Sequence, residues 1–579
     1  MLKRLAFFVI CLWCITAAAQ VRADKYTANF IKVWGFLKYY HPAVGTGRVN
    51  PDSLFLTWID KVRTAGTDTE YKVLLESIHR DLGVVKVVSN VSDSVKLFSL
   101  NDKTSWVEKN HLLPPPLKQS LRQLRKQGYQ DPVHQYLPEH FYATEIPAER
   151  SYDSIRYPNT GFQLLALARY WNAIEYLFPY KYMAPDWNAV LVKQVPFFSK
   201  PMSAVDFELH LLQLNAGIED THGGIVQITQ GAQVYGSFFP PFTFKFVDEK
   251  SIVVMDYLDS AGCIRQGIAR GDVITQVRNR SIGQNVADHS SFVSASNAPQ
   301  LRSLLSSIPL LLPFRGKDSV VQIYISGKGS SMLKLQRPTD TSFVSNLQKL
   351  YQQQRGNGTT TQNSFVLRSI NKEVAQVDGA NLSILYNSSP DDRPVDSVLA
   401  LMRTHRKSII LDLRCYATQA VFFNKFIAAM GGQLHKFTKL MAHSKRYPGK
   451  YYEHDVLSAI QPGSPLLEKY PGQFIVLVNE QTKSQSEWMT MVMQAIGLQT
   501  IVVGTQTAGC DGDLIYYPVP GGYTLTFSGR HVAYPDGTAT QKTGVRIDKR
   551  VTVTAKGLAE GKDEILEAAL KLIDQGGRD

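Results

Sequence analysis

An internal repeat constrains the first half of the chain more than any other feature of the sequence. Segments 33–42 and 170–179 match at Trp, Tyr and Pro with one offset of 137 residues, and the same offset pairs Leu74-Leu75 with Leu211-Leu212. In the second copy four apolar residues share one helical face and Pro179 follows them: Leu164, Leu167, Trp171 and Ile174. A helical unit of about 50 residues is therefore duplicated, and its aromatic side chains are predicted to pack in a core.

Length and composition limit the class of protein. The 579 residues are enough for about four domains. With 44% hydrophobic and 20% charged residues, the chain has a globular composition and not that of a disordered or collagen-like chain. The formal net charge is +13, but basic and acidic residues alternate without a long cationic run, so the charge does not indicate nucleic-acid binding.

The first 19 residues resemble a secretory leader in their pattern. Lys3 and Arg4 precede an apolar stretch that ends in small residues at 17–19. That stretch is shorter than the roughly 20 residues of a membrane span, so a cleaved signal peptide is favoured over an anchor. The sequence thus predicts a secreted protein, in the periplasm or on the outer surface. Three cysteines remain after the leader, too few for a disulfide framework: Cys263, Cys415 and Cys510.

The middle of the chain is predicted to be rich in strands. Ser251 to Met255 and Val320 to Ile325 are β-branched runs, and Gly267 to Val277 lies between them. The Gly-Ile-Ala-Arg-Gly-Asp-Val-Ile run resembles the helix-to-strand corner of a PDZ domain, which implies binding of peptide C-termini as an added strand. Any small β-rich domain with a Gly-Asp turn is the alternative. The polar stretch 340–363 is predicted to be a linker.

The last third alternates apolar runs with helical stretches, as in a layered α/β domain. The predicted strands are Ser408 to Leu413, Phe474 to Val478 and Ile501 to Val503, and a final helix buries one apolar face: Ile565, Ala568, Ala569 and Leu572.

Two serines lie in the turn after the second of these strands, just before a helix. Ser484 and Ser486 are thus placed where backbone N–H groups of a helix N-terminus stabilise an alkoxide and an oxyanion. The turn is not a Gly-x-Ser-x-Gly elbow, so an α/β-hydrolase is not supported. Spacing alone favours a plainer role, in which either serine caps the helix and Glu487 lies in its first turn.

Ordered motifs make the nucleophile hypothesis stronger. Besides the Thr-x-Ser-x-Ser-Glu turn, the chain has Asp-Leu-Arg at 412–414, Thr-Ala-Gly-Cys-Asp-Gly at 507–512 and a Tyr-Pro-Asp-Gly-Thr block at 534–544. In these motifs the segment from about 364 to 572 resembles the tail-specific, or C-terminal processing, serine peptidases of the secreted bacterial branch. The resemblance implies a crotonase-like α/β core, Ser484 as nucleophile and the backbone N–H of Gln485 as an oxyanion donor.

The chain departs from this family at the general base. Better-known members use a lysine where this sequence has Cys510, and a serine hydroxyl needs a base at neutral pH. His222, in the Asp-Thr-His-Gly-Gly run, resembles the histidine that reaches the serine in the tricorn-like branch. Asp220 either orients that imidazole or ends a helix. Lys483 adjoins the serine, but adjacent turn residues usually point apart, so it is the minor alternative.

The second oxyanion donor is not evident in the sequence. The family takes it from a glycine-containing loop after Asp-Leu-Arg, whereas residues 415–419 here contain no glycine. Cys415 and Cys510 fall in loops near the site, either as buried free thiols, as a disulfide or as modulators of the nucleophile. Motifs for metal ions and nucleotides are missing from the sequence, so no cofactor is predicted.

Together these features predict a multidomain α+β protein. After the leader, the predicted order is a helical subdomain (20–150), its repeat with the histidine motif (151–237), a PDZ-like domain (238–339), the linker and a catalytic domain (364–579). The predicted function is a secreted serine endopeptidase that acts on captured polypeptides, with no nucleic-acid partner and no membrane segment in the mature chain. A peptide-binding scaffold that has lost its chemistry is the alternative, followed by an esterase for small acyl substrates.

Overall fold

The computed structural model describes residues 2–83, 85, 96–98, 101, 105–140, 143–146, 148–156, 158–308, 310–339, 341–354, 365–387, 393–417, 420–454 and 468–576. The first part is largely helical: α1 (Leu2–Tyr40), α2 (Pro42–Gly45), α3 (Pro51–Thr64), α4 (Asp68–Leu82), β1 (Leu97–Phe98), α5 (Ser105–Lys109), α6 (Pro115–Gln127), α7 (Thr160–Leu177), α8 (Trp187–Phe198), α9 (Ala204–Ala216), β2 (Gly224–Ile225) and α10 (Gly231–Tyr235).

The middle part is a sheet with short helices: β3 (Phe242–Phe246), β4 (Ile252–Tyr257), α11 (Ser260–Arg265), β5 (Val273–Val277), β6 (Arg280–Ser281), α12 (Ile282–Ser290), α13 (Ala298–Ser306), β7 (Val320–Ile325), β8 (Gly329–Lys334) and α14 (Thr341–Gln354).

The last part alternates strands and helices: β9 (Leu367–Ser369), β10 (Val374–Asp378), α15 (Ser383–Asn387), α16 (Arg393–Thr404), β11 (Ser408–Asp412), α17 (Ala420–Ala429), β12 (Lys439–His443), β13 (Tyr451–His454), β14 (Gln473–Val478), α18 (Gln485–Gln494), β15 (Thr500–Gly504), β16 (Leu514–Val519), β17 (Tyr523–Ser528), β18 (His531–Ala533), β19 (Lys549–Arg550), α19 (Ala555–Ala559) and α20 (Glu564–Asp574).

The two matching sequence segments lie in helices with matching surroundings. The indole N–H of Trp34 in α1 donates to the carbonyl of Pro51 at 2.8 Å, and that of Trp171 in α7 donates to the carbonyl of Trp187 at 2.9 Å. Each tryptophan therefore ties its helix to the first turn of the next long helix, α3 or α8. Both side chains are buried in one hydrophobic core, so they are packing residues.

A buried group of charges joins the helical part to strand β16. Lys38 of α1 and Arg169 of α7 both form ion pairs with Glu149, and the Tyr517 hydroxyl of β16 donates to the same carboxylate at 2.6 Å. The charged side chains are at most 1% exposed. Buried charges are tolerated only when they are paired in this way. The group therefore fixes how the helices pack on the hairpin of β16 and β17.

The middle part forms its own sheet and its own core. Five strands pair in the order β3-β4-β5-β7-β8, all antiparallel, with β6 alongside β5. The predicted corner is a helix-to-strand connection: α11 ends at Arg265, and Gly267 and Gly271 adopt φ of +69° and +84° before β5 begins. Such positive φ angles favour glycine. The first predicted strand begins one residue later than expected and extends to Tyr257.

The structure corrects the prediction of a linker over 340–363. Residues Thr341–Gln354 form helix α14, and Phe343 is buried in the core of the middle part, with Leu347 and Leu350 packed against it. Their spacing of four and three residues gives a narrow apolar stripe, which the many glutamines in this stretch concealed. The rest of the predicted linker, residues 355–363, lies outside the described part.

The last part is built around a sheet in the order β19-β15-β14-β11-β10-β9. Strands β19, β15, β14, β11 and β10 are parallel, and β9 is antiparallel at the edge. All three predicted strands are present. Strand β14 is buried at every residue because helices cover both faces of the sheet. Its carboxyl end therefore holds the following turn on a rigid support.

The predicted leader lies within α1, which begins at Leu2 and continues to Tyr40. Among the helices of the described residues, none combines the length and the apolar character that crossing a membrane requires.

Candidate active site

The turn between β14 and α18 holds Ser484 in a strained conformation. Its backbone has φ of 51° and ψ of −118°, which L-residues other than glycine rarely adopt. A serine on a sharp, strained turn from strand to helix is typical of a nucleophile. The turn is anchored by Thr482, whose hydroxyl accepts from the N–H of Asn479 at 3.0 Å and donates to the carbonyl of Leu413 at 2.7 Å.

Hydrogen bonding separates the two candidate serines. The side chain of Ser486 is fully buried, and its hydroxyl accepts from the N–H of Ala417 at 2.9 Å and donates to the carbonyl of Cys415 at 2.8 Å. Ser486 therefore holds the loop after β11 in place. Ser484 remains partly exposed and directly precedes Gln485, the first residue of α18. The structure thus leaves Ser484 as the candidate nucleophile.

Glu487 connects Ser484 to the neighbouring loop of the site. Its buried carboxylate accepts from the Thr507 hydroxyl at 2.5 Å, from the N–H groups of Gly509 and Cys510 at 2.9 Å each, and from the N–H of Ser484 at 3.3 Å. Burial raises the pKa of Glu487 above its usual value, and these hydrogen bonds act in the opposite direction. Glu487 therefore fixes the position of residues 507–510 relative to the serine.

The histidine motif lies in a tight connection between α9 and β2. Helix α9 ends at Ala216, so Asp220 does not end it. A Cβ at Gly223 would come within 2.6 Å of the Ser294 hydroxyl and 2.8 Å of the Asp220 carbonyl, so only glycine fits there. Gly224 begins β2, which pairs antiparallel with β17. This pairing places His222 beside the end of β17.

The imidazole is held by a chain of hydrogen bonds that reaches Asp220. His222 Nδ1 lies 2.9 Å from the Ser528 hydroxyl, which donates to Asp220 Oδ1 at 3.0 Å. Because a hydroxyl carries one hydrogen, we infer that Ser528 accepts from Nδ1–H and that Nε2 carries the lone pair. Burial lowers the pKa of His222, Asp220 raises it, and Lys483 lowers it. This environment suits a neutral imidazole that accepts a proton at Nε2.

The upstream loop and the serine turn meet at residues 507–510. The Thr221 hydroxyl donates to the carbonyl of Ala508 at 3.5 Å, and the N–H of Ala508 donates to the carbonyl of Thr482 in the serine turn at 3.0 Å. A direct hydrogen bond between Ser484 and His222 is not present in the described part of the chain. Burial raises the pKa of Tyr416, and the nearby Ser484 side chain lowers it.

Lys483 differs from its sequence prediction. Its charge acts on both His222 and Cys510, and its Nζ lies 5.9 Å from the centre of the Tyr416 ring. The turn therefore directs Lys483 toward the site and not away from it.

The two cysteines near the site are free thiols. Burial raises the pKa of Cys510 well above its usual value, and the charges of Glu487 and Asp220 add to this. Burial also raises the pKa of Cys415 well above its usual value. Both groups therefore remain protonated at neutral pH, and Cys510 cannot take the place of the lysine base.

Sequence reasoning missed three residues that organise the site. Ser528 lies between the histidine and the aspartate, and the side-chain amide of Gln541 donates to Asp220 Oδ1 at 3.1 Å. The amide of Asn297 donates to the carbonyls of Thr507 at 2.9 Å and Lys542 at 3.1 Å. Gln541 lies in one of the recognised motifs, which was a usable signal. The sequence gives no such signal for Ser528 or Asn297, because the residues that they bind are more than 200 positions away in the chain.

Known proteins resemble the chain in domain sequence and in fold. Residues 384–551 match the model of peptidase family S41, a range that includes Ser484 but not His222. A search of curated protein sequences finds no match. The structure of mature CPAF is 13% identical, with a TM-score of 0.53, over 72% of this chain and 99% of that one. CPAF complexed with lactacystin gives 13% identity and a TM-score of 0.52 over the same shares.

A further solved structure, the photosystem II D1 C-terminal processing protease, is 14% identical over 70% of this chain and 99% of that one. Its TM-score of 0.36 is too low to show a shared fold. At 13% identity the CPAF structures show a similar fold and nothing about residue roles. The family match covers the strand, the strained serine turn and the helix described above. Residues 384–551 are therefore a peptidase family S41 domain, which makes this chain a serine-type peptidase.

Proposed function

We propose that this chain is a secreted endopeptidase of the C-terminal processing type, in which Ser484 is the nucleophile and His222 the general base. One observation carries the proposal. The turn of Ser484 and the loop of His222 are both bonded to the same segment, residues 507–510, through Thr482 and Glu487 on one side and Thr221 on the other. Separate parts of the chain thus supply a nucleophile and a neutral imidazole to one region of the fold, as covalent catalysis requires.

The roles follow from the hydrogen bonds. Asp220 and Ser528 hold the imidazole with Nδ1–H engaged, so Nε2 can accept the proton of the Ser484 hydroxyl. Hydrogen bonds between catalytic groups are often long without substrate and form when it binds. The hydroxyl oxygen then attacks the peptide carbonyl, and the N–H of Gln485 at the start of α18 is the first donor to the resulting oxyanion.

His222 is favoured over Lys483 as the base for a geometric reason. The imidazole is fixed by two successive hydrogen bonds to a buried carboxylate, which gives it one tautomer and one orientation. Nζ of Lys483 lies 5.9 Å from the centre of the Tyr416 ring, so Lys483 is a cation beside the serine. We assign Lys483 an electrostatic effect on His222, whose pKa it lowers after the larger effect of burial.

The middle part is proposed to act as a PDZ-like domain that captures an unstructured polypeptide end. Its antiparallel sheet and its helix-to-strand corner support this role. Its link to the catalytic site is direct, because Asn297, at the start of α13, binds carbonyls of the 507–508 segment and of Lys542. A captured peptide would therefore be held on a part of the protein that contacts the catalytic loops.

The experiment is labelling of the purified mature chain with a fluorophosphonate probe, mass mapping of the labelled peptide, and digestion of denatured casein. We expect labelling at Ser484 and loss of both activities in Ser484→Ala, with Ser77→Ala of helix α4 as the matched control. His222→Ala should lose casein hydrolysis, with the exposed His111→Ala as its control.

The other outcomes separate the alternatives. Full casein hydrolysis by Ser484→Ala would remove Ser484 from the mechanism, and full activity of His222→Ala would move the base elsewhere. Binding of peptides without labelling or turnover would indicate a scaffold, and hydrolysis of small esters alone would indicate an esterase. Secretion is tested by the N-terminus of the exported protein, which we expect at Gln20.

A further inference from the structure

The loop that follows β11 lies beside the serine turn and lacks the glycine with which the resemblance associates the second oxyanion donor. This loop begins Cys415-Tyr416-Ala417 and contains no glycine up to residue 419. The N–H of Ala417 is already bonded to the Ser486 hydroxyl at 2.9 Å, and that hydroxyl is bonded to the carbonyl of Cys415 at 2.8 Å. The N–H of Ala417 is thus engaged within the protein, and we look to a side chain of the same loop for the second oxyanion donor.

The side chain of Tyr416 lies beside the serine turn. Its two neighbours in the chain are bonded to Ser486, two residues after Ser484, and its ring centre lies 5.9 Å from Nζ of Lys483, the residue before Ser484. The residue is 40% exposed, so its ring has space to turn toward a bound substrate. The backbone around it is fixed by Ser486, so the hydroxyl moves on a rigid support. The backbone of Tyr416 is therefore fixed, while its side chain can rotate.

We propose that the phenol O–H of Tyr416 is the second donor to the oxyanion, opposite the backbone N–H of Gln485. The proposal rests on the proposed function, with Ser484 as nucleophile. In the tetrahedral intermediate the oxyanion and Ser484 Oγ are bonded to the same carbon. A phenol held beside the serine turn therefore reaches the oxyanion by rotation of its side chain.

Ser484 Oγ forms a bond to the carbonyl carbon, its proton passes to His222 Nε2, and the electron pair of the C=O π bond moves to the oxygen. Tyr416 donates a hydrogen bond to that oxygen and keeps its proton. The intermediate collapses when the C–N bond breaks and the leaving amine takes the proton from His222. Water then releases the acyl group by the same sequence of steps.

Tyr416 is suited to this role because it remains protonated. Burial raises the pKa of Tyr416, the nearby Ser484 side chain lowers it, and the nearby Cys510 and Tyr516 raise it. A phenol that starts near pKa 10 and is raised keeps its hydrogen at neutral pH. The cation of Lys483 near the ring also makes the hydroxyl a better donor, since positive charge withdraws electron density from it.

The test compares Tyr416→Phe, which removes only the hydroxyl, with Tyr447→Phe in the loop between β12 and β13. Tyr447 packs against the cations of Arg446 and Lys450, away from the site, and serves as the matched control. We measure kcat and KM for casein, the rate of fluorophosphonate labelling at Ser484, and the melting temperature of each full-length mature variant.

We expect Tyr416→Phe to lower kcat by about 10²-fold, the usual effect of losing one oxyanion donor, while KM changes little. The labelling rate should fall in parallel, and the melting temperature and Tyr447→Phe should match the wild type. An unchanged or faster kcat in Tyr416→Phe would overturn the proposal, since the residue would then only cover the serine. A higher KM with unchanged kcat would also overturn it and indicate a substrate contact.

The two proposals fail in distinguishable ways. If the wild-type chain neither hydrolyses casein nor reacts with the fluorophosphonate, the proposed function and this inference are both wrong. If the wild type reacts at Ser484 and Tyr416→Phe reacts equally fast, the proposed role of Tyr416 is wrong and the proposed function stands.

Discussion

His222 Nδ1 lies 2.9 Å from the hydroxyl oxygen of Ser528, although the two residues are 306 positions apart in the chain. Ser528 in turn donates to Asp220, a fully buried carboxylate two residues before the histidine. The aspartate therefore acts on the imidazole through a serine from another part of the fold. This relay makes the β-strand pairing of β2 with β17 a requirement for the orientation of the candidate base.

Removal of the bridging hydroxyl should impair catalysis without unfolding the protein. Ser528→Ala leaves Nδ1 without its acceptor, so the imidazole loses its fixed orientation and tautomer. We expect kcat for casein to fall by about 10²-fold, at the lower end of the contribution of a positioned base. Ser528→Thr keeps a hydroxyl and should recover most of the activity. Wild-type kcat in Ser528→Ala, at an unchanged melting temperature, would show that the relay is dispensable.

The acid limb of the pH profile should move in opposite directions in two variants. His222 must be neutral to accept a proton, so activity falls as the pH drops through its pKa, which burial and Lys483 hold below about 6.5. Lys483→Met removes a nearby cation, raises this pKa and moves the limb to higher pH. Asp220→Asn removes a nearby anion, lowers it and moves the limb to lower pH.

These shifts are measured as kcat/KM for casein between pH 4 and 8 at constant ionic strength. Lys61→Met, on the exposed face of α3, is the control for a general change of charge. Identical limbs in all four proteins would show that His222 does not set the pH dependence.

The carboxylate of Glu487 should be essential as an acceptor. Glu487→Gln keeps the shape but directs an NH₂ group toward some of the four donors that now converge there, the Thr507 hydroxyl and three backbone N–H groups. We expect a loss of about 2–3 kcal/mol in the free energy of unfolding, since hydrogen bonds to a charged group are broken, together with slower labelling of Ser484. Chemical denaturation and labelling kinetics measure the two effects. A variant as stable and reactive as the wild type would contradict this assignment.

The buried ion cluster of the helical part should contribute to stability and not to catalysis. Burial acts against ionisation of Glu149, but Arg169 and Lys38 hold its pKa below the usual value. Glu149→Gln leaves these two cations buried without a counter-charge, which should cost about 3–5 kcal/mol of unfolding free energy. Glu108→Gln breaks an exposed ion pair with Arg122 and should leave the melting temperature unchanged. Equal melting temperatures for both variants would mean that the cluster does not contribute to the stability of the protein.

Local pattern was sufficient for the elements themselves. Strands β11, β14 and β15 appeared as apolar runs because central parallel strands bury both faces, and the helices around Trp34 and Trp171 appeared as a repeat because each buries the same aromatic face. Ser484 was placed at a strand-to-helix turn because the apolar run of β14 precedes it and the apolar face of α18 follows it. Helix α14 was missed because a three-residue apolar stripe gives little signal among glutamines.

The sequence by itself determined which residues could react, since side-chain chemistry and position in a turn are local properties. Only the tertiary structure decided how they are used. It committed Ser486 to the backbone of the Cys415 loop, directed Lys483 toward the site, joined His222 to Asp220 through Ser528, and placed Tyr416 beside the serine turn. Each of these contacts depends on strand pairing or loop packing between distant parts of the chain, where loop closure and core packing, not local propensity, determine which groups meet.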